Sequence, residues 1–250
     1  MVESWDGWTM DAQPTKLAYV TGASRGIGEA LVHELIAAGY RVIGLSRTTK
    51  IDHPNFTFVQ LDLSNLEAVK SFTFDETGPQ VLLVNNAGML GEVGSVGAIN
   101  DSTFERVMRV NTIAPQILMN QFIKTFKKTA ERGHILNISS GAGKNAIDGW
   151  AAYCASKAAL DLFSETIRLE FNLHQLENWY IHSIAPGVVD TEMQSEIRNS
   201  NPSEFKSLDR FIALKVENQL TEPAAVAKKL FRVIEHPAQF ESTILSVREF

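Results

Sequence analysis

The chain holds one cysteine, Cys154, in 250 residues, so no internal disulfide can form and secretion gains no support. No apolar run reaches the roughly 20 residues needed to cross a bilayer. The histidines, at positions 33, 53, 134, 174, 182 and 236, are scattered, with no pair one helical turn apart, so no metal site is expected. Excess positive charge is also missing. Lys and Arg number 23 against 29 Asp and Glu, a formal net charge of -6. Such a chain lacks the electrostatic footprint that a phosphate backbone or an anionic lipid surface demands, so neither nucleic acid nor membrane is expected as a partner. Residues 1–15 carry Glu3, Asp6 and Asp11 with no basic start and no apolar stretch, so they do not read as a secretory signal. They are expected to be a disordered N-terminal extension on a cytoplasmic protein.

What is present is an ordinary globular composition, 44% hydrophobic and 21% charged, enough for one sizeable core. Short β-rich runs alternate with longer amphipathic stretches. Strands are expected at 17–21, 41–45, 56–61, 81–85, 134–139, 180–184 and 243–247. Helices are expected at 27–38, 65–73, 102–128, 153–173 and 223–235. Strands joined by helices call for an α/β doubly wound fold, a seven-stranded parallel sheet with helices on both faces and right-handed crossovers. No repeat or long linker divides the chain, so residues 16–250 are expected to form a single domain.

The first strand runs into Thr21-Gly22-Ala23-Ser24-Arg25-Gly26-Ile27-Gly28. Glycine at 22 permits a sharp turn, glycine at 26 a close approach of backbone to a pyrophosphate, and glycine at 28 tight packing of the next helix. The helix N-terminus then offers N–H groups and a partial positive charge to phosphate oxygens. The spacing is G-x-x-x-G-x-G, not the G-x-G-x-x-G of the general dinucleotide fingerprint, but its place between strand and helix is that of a Rossmann phosphate turn. The second strand ends in Ser46-Arg47 with no carboxylate to take the ribose hydroxyls of NAD. With Arg25 nearby, Arg47 favours a 2′-phosphate, so the expected cofactor is NADP(H). The bland alternative is a plain surface arginine.

Tyr153 and Lys157 are four residues apart on an expected helix, ~6 Å along its axis and on one face. A free phenol titrates near ~10. An ammonium about 4 Å away in a partly dry site contributes on the order of 4 kcal/mol. The phenol is therefore expected to acidify by up to roughly three pH units before any desolvation, as general-acid catalysis of carbonyl reduction favours. Ser140, following the apolar strand Ile135-Leu136-Asn137-Ile138, is placed to hydrogen-bond a carbonyl oxygen as it gains charge. Asn111, early in another helix, is a candidate to hold a water beside Lys157, with a plain helix cap as the alternative.

These motifs together resemble the short-chain dehydrogenase/reductase family across residues 16–250. The resemblance rests on the 21–28 turn, Asp62-Leu63, Asn85-Asn86-Ala87-Gly88, Asn111, Ser140, Tyr153-x-x-x-Lys157 and the run Pro186-Gly187-Val188-Val189-Asp190-Thr191. It implies NADP(H) held by Gly22, Ser24, Arg25, Gly26, Ile27, Gly28, Arg47, Asp62, Leu63, Asn86, Ala87 and Gly88. It further implies contacts from Pro186, Gly187, Val189 and Thr191, and from Tyr153 and Lys157 to the nicotinamide ribose. Asp62 is implied at the adenine and Asn86 near its ribose.

A closer likeness, through the stretches at 139–145, 188–194 and 208–215, is to benzil reductases forming (S)-benzoin, a branch similar to sepiapterin reductase. It implies reduction of one ketone of a 1,2-diketone. Sepiapterin-type enzymes place a carboxylate near the C-terminus to hold the pterin, and only Glu249 offers one here. A 3-oxoacyl reductase would need a basic docking patch that a net charge of -6 does not encourage. A non-catalytic NADP(H)-sensing regulator would not need an intact Ser140, Tyr153 and Lys157. Residues 192–220 are expected to form a mobile lid over an apolar carbonyl substrate, with Ser140, Trp150, Tyr153 and Met193 as contacts. The resemblance also implies a homodimer or homotetramer built through long helices.

Overall fold

Strand β1 (Lys16–Thr21) divides its side chains between two cores, Leu17 and Tyr19 facing one and Ala18 and Val20 the other. All four are buried, as period-two side chains must be when a strand is covered on both faces. The computed structural model describes residues 16–250. The extension expected at 1–15 lies outside the described residues. β2 (Arg41–Ser46), β3 (Phe56–Gln60), β4 (Gln80–Asn85), β5 (Arg132–Ile138), β6 (Trp179–Ala185) and β7 (Ile244–Ser246) complete the sheet, in the order β3-β2-β1-β4-β5-β6-β7. Every adjacent pair is parallel, with Leu17 opposite Arg41 on one side of β1 and Val81 on the other. The chain winds outward in both directions from β1 and β4, so a crevice opens beyond the carboxyl ends of the strands.

One face of the sheet is closed by α1 (Gly26–Ala37) and α8 (Pro223–Glu235), which pack together. Leu31, Leu35, Val226 and Leu230 fill the core beneath them. The other face is closed by α4 (Ala114–Phe126) and α5 (Ala151–Leu173), with α2 (Leu66–Ser71) beside α4. A cluster of aromatic rings, Tyr19, Phe74, Phe122 and Phe126, lies under α4. Among the described residues, no helix is long and apolar enough to cross a membrane.

Two expectations, the single helix at 102–128 and the place of Asn111, need correction. The single helix at 102–128 is α3 (Asp101–Met108), a π-helical turn at Arg109–Ile113, and α4. The helical period of apolar residues runs through a locally widened turn without a visible break, so the pattern hides it. Asn111 therefore sits buried in that wide turn, not early in a helix and not as a cap. The 192–220 segment contains α6 (Glu192–Arg198) and α7 (Leu208–Val216), too short to stand out as periodic runs.

Candidate active site

The strand ends open into a cleft of about 1540 Å³, larger than the about 300–1,000 Å³ usual for one drug-sized ligand. Space for a dinucleotide and a substrate together is therefore present. Every residue expected to bind cofactor lines this cleft except Gly28, which lies beneath the phosphate turn. Gly22 and Gly26 adopt φ of 65° and 58°, the left-handed region that glycine enters without strain. A Cβ on Gly28 would fall 2.2 Å from the Gly22 carbonyl oxygen, so helix and turn touch backbone to backbone. No side chain caps α1, so its first N–H groups are available to phosphate oxygens, and a Cβ on Gly26 would meet the Thr191 methyl at 3.3 Å.

Asn86 braces this turn. Its Nδ2 donates to the carbonyls of Thr21 and Gly22, each at 3.0 Å, and its own N–H donates to the Thr21 hydroxyl. Across the cleft mouth, Arg25 is ion-paired with Glu192 of α6, both side chains largely exposed. Asp62 lies below the usual carboxylate range, first because the Ser64 N–H donates to it at 2.9 Å, with smaller contributions from the Ser64 hydroxyl, Arg47 and Arg106. Arg47 thus stands at the end of β2 next to Asp62, where an adenosine end would lie.

At the other end, α5 carries Tyr153 and Lys157 into the cleft floor, and the loop after β5 carries Ser140. Lys157 Nζ donates to the Ile138 carbonyl at 2.8 Å and lies 5.7 Å from the centre of the Tyr153 ring. Burial pushes the ammonium down to about 8, opposed by the charge of Asp161. The expected acidification of Tyr153 does not occur. Burial pushes the phenol up to about 12, opposed by its hydrogen bond with Ser140. The dry environment penalises the phenolate more than its polar neighbours stabilise it. Tyr153 therefore stays protonated at neutral pH, available as a donor.

Asn111 does not line the cleft. Its Oδ1 accepts the Met89 N–H at 2.9 Å, while Nδ2 donates to the Met89 carbonyl and the Ser156 hydroxyl. It clamps the loop after β4 onto α5. A Cβ on Gly88 would lie 3.5 Å from both Asn111 Oδ1 and Lys157 Nζ, which places the two groups around one glycine.

Over the substrate end, Trp150 stacks on Phe205 at 5.6 Å, tilts against Phe211 at 5.3 Å, and meets Tyr153 edge-on at 5.7 Å. Phe205 is fully enclosed and does not reach the cleft, whereas Trp150, Met193, Ile197 and Phe211 line it. Asp148 ties down the segment expected to be a lid, accepting from the Lys206 N–H at 2.6 Å and the Ser207 hydroxyl at 2.7 Å. Glu249 does not line the cleft; its carboxylate accepts from the Ser246 N–H. Gln194 escaped sequence reasoning. It is 2% exposed, lines the cleft, and neither its amide oxygen nor its amide nitrogen has a partner. Nothing in its spacing marked it, because polar residues in a short lid helix read as solvated.

Comparison with known proteins gives consistent results. A family profile described as short chain dehydrogenase matches residues 16–202. A benzil reductase ((S)-benzoin forming) of Bacillus subtilis is 35% identical over 243 residues, covering 94% of this chain and 99% of that protein. A benzil reductase ((S)-benzoin forming) of Saccharomyces cerevisiae is 33% identical, covering 88% and 90% respectively. Among solved structures, a 4-hydroxyisoleucine dehydrogenase complexed with NADH superimposes with a TM-score of 0.76 at 29% identity, over 92% of this chain and 96% of that one.

Proposed function

From its membership of the short-chain dehydrogenase family, and so as an oxidoreductase that uses a nicotinamide cofactor, we propose that this chain reduces one ketone of a 1,2-diketone such as benzil to the (S)-hydroxyketone with NADPH. The observation that carries the reading is that Ser140, Tyr153 and Lys157 meet on the floor of one cleft, with the Lys157 ammonium 5.7 Å from the Tyr153 ring centre. The relatives named for benzil reduction support the substrate class. Arg47, at the end of a strand with no carboxylate, supports a 2′-phosphate.

The nicotinamide, when bound in this cleft, would supply the hydride that the carbonyl carbon takes. Ser140 donates a hydrogen bond to the carbonyl oxygen, orienting it and stabilising its growing charge. Tyr153 passes its phenolic proton to that oxygen, a favourable direction because a phenol is more acidic than an alcohol. Lys157 would stabilise the phenolate left behind and would hold the cofactor ribose through its ammonium. Trp150 and Met193 supply apolar surface for an aromatic substituent. Asn111 holds the loop that shapes the pocket.

The enzyme is read as cytoplasmic and as a homodimer or homotetramer. Leu162, Leu169 and Leu173 are exposed along α5, an apolar edge that a second copy would cover. The test is NADPH consumption over a panel of 1,2-diketones, quinones and sepiapterin, with chiral separation of the products. (S)-Benzoin from benzil is the expected product. Absence of NADPH oxidation with every diketone would overturn the reading.

A further inference from the structure

We propose that Asp161 is a positioning residue for the reduction, its buried carboxylate being the counter-charge that keeps Lys157 protonated where water is excluded. The inference rests on the reading of Lys157 as a working ammonium. Asp161 follows Lys157 by four residues on α5 and so shares its face. Lys157 is 3% exposed and Asp161 8%. An ammonium buried with one carbonyl acceptor tends to lose its proton, and a carboxylate one helical turn away, ~6 Å along the axis, opposes that loss.

The carboxylate is held from two sides. Ser183 of β6 donates its hydroxyl to Asp161 Oδ1 at 2.7 Å. On the other side, a Cβ on Gly143 would fall 2.8 Å from Asp161 Oδ2 and 3.1 Å from the Lys157 carbonyl carbon. The loop that carries Ser140 therefore presses backbone onto the turn between ammonium and carboxylate. Other groups around Lys157 do not compete. Asn111 and the Ile138 carbonyl are neutral, Tyr153 stays protonated to about 12, and the neighbouring thiol of Cys154 points to the Asn145 carbonyl.

The experiment reads Lys157 directly in the cofactor-free enzyme, by NMR titration of lysine ε-carbons with Lys157→Met assigning the signal. Asp161→Asn is expected to move the Lys157 midpoint to lower pH, while Ser183→Ala, which leaves the carboxylate in place, does not lower it. With NADPH and diketone, Asp161→Asn should lose activity from the alkaline side, about tenfold at pH 8 and little at pH 6. A merely structural role predicts loss at all pH values in both variants, and an unmoved Lys157 midpoint overturns the proposal. Should Asp161→Asn not fold, the carboxyl carbon of Asp161 in the wild-type protein must show an inflection at the Lys157 midpoint, and its absence overturns the proposal equally. Because the NMR titration needs no substrate, a wrong assignment of the diketone leaves it readable.

Discussion

Lys157 Nζ donates to the main-chain oxygen of Ile138, the last residue of β5, at 2.8 Å. The bond joins a helix to the end of a central strand, so the ammonium is fixed by the sheet rather than by a flexible neighbour. Even so, the Tyr153 phenol is pushed up to about 12. The lysine is anchored to backbone with its ammonium 5.7 Å from the ring centre, and burial dominates the phenol.

Replacing Tyr153 by Phe removes the phenolic hydroxyl, the proposed proton donor, and little volume. Turnover is expected to fall by about 10²–10⁴-fold, with NADPH affinity unchanged. Stopped-flow kinetics and fluorescence titration of NADPH check the two halves separately. Activity near wild type would remove Tyr153 from the chemistry.

Arg47→Asp exchanges a cation for an anion at the adenosine end. The KM for NADPH should rise by about 10–100-fold, as the loss of a charge-assisted hydrogen bond implies. The KM for NADH should stay level or fall. An unchanged preference between the two cofactors would assign Arg47 to the plain surface.

Lys157→Met tests what the buried ammonium does to folding. The group lies near about 8 in the folded protein against 10.5 in an open chain. Between those values the unfolded chain binds more protons, so the stability of the wild type rises with pH there. Below about 8 both states are charged and the cost of burial is fully felt. The Met variant should therefore be more stable than wild type at pH 7, with the gap closing toward pH 10. Chemical denaturation at several pH values measures this, and a variant less stable at pH 7 would contradict it.

Trp150 carries a buried indole N–H without a partner. Trp150→Phe discards that group and keeps an aromatic ring against Phe205 and Phe211, so it should leave stability level or higher. Trp150→Ala empties the stack and should cost about 3–5 kcal/mol. Equal losses in both variants, measured by denaturation, would mean that the N–H has a partner after all.

Much of this could be read from residue patterns. All seven strands and their parallel direction follow from apolar runs spaced by helical stretches, and Pro223–Glu235 begins and ends where its periodicity does. The glycine turn and the Tyr153–Lys157 spacing placed both ends of the cleft. What escaped were properties that depend on three-dimensional burial. The extra width at Arg109–Ile113 leaves no mark on the apolar period. The sign of the Tyr153 shift is set by how dry the site is, which spacing does not encode. Gln194 and Asp161 look like surface residues until neighbouring elements close over them.

The segment 192–220 leaves and rejoins the body at one doorway. Val189 pairs with Thr221, the Asp190 N–H donates to the Thr221 carbonyl at 3.0 Å, and the Thr221 N–H donates to the Val188 carbonyl at 3.0 Å. Because its two ends are stitched together, the stretch between them behaves as a cassette. It can lengthen, shorten or be transplanted from a cousin without tugging on any strand of the sheet. On the proposed reading, substrate taste in such a scaffold is free to drift while the turn at 22–28 and Tyr153 stay where they are.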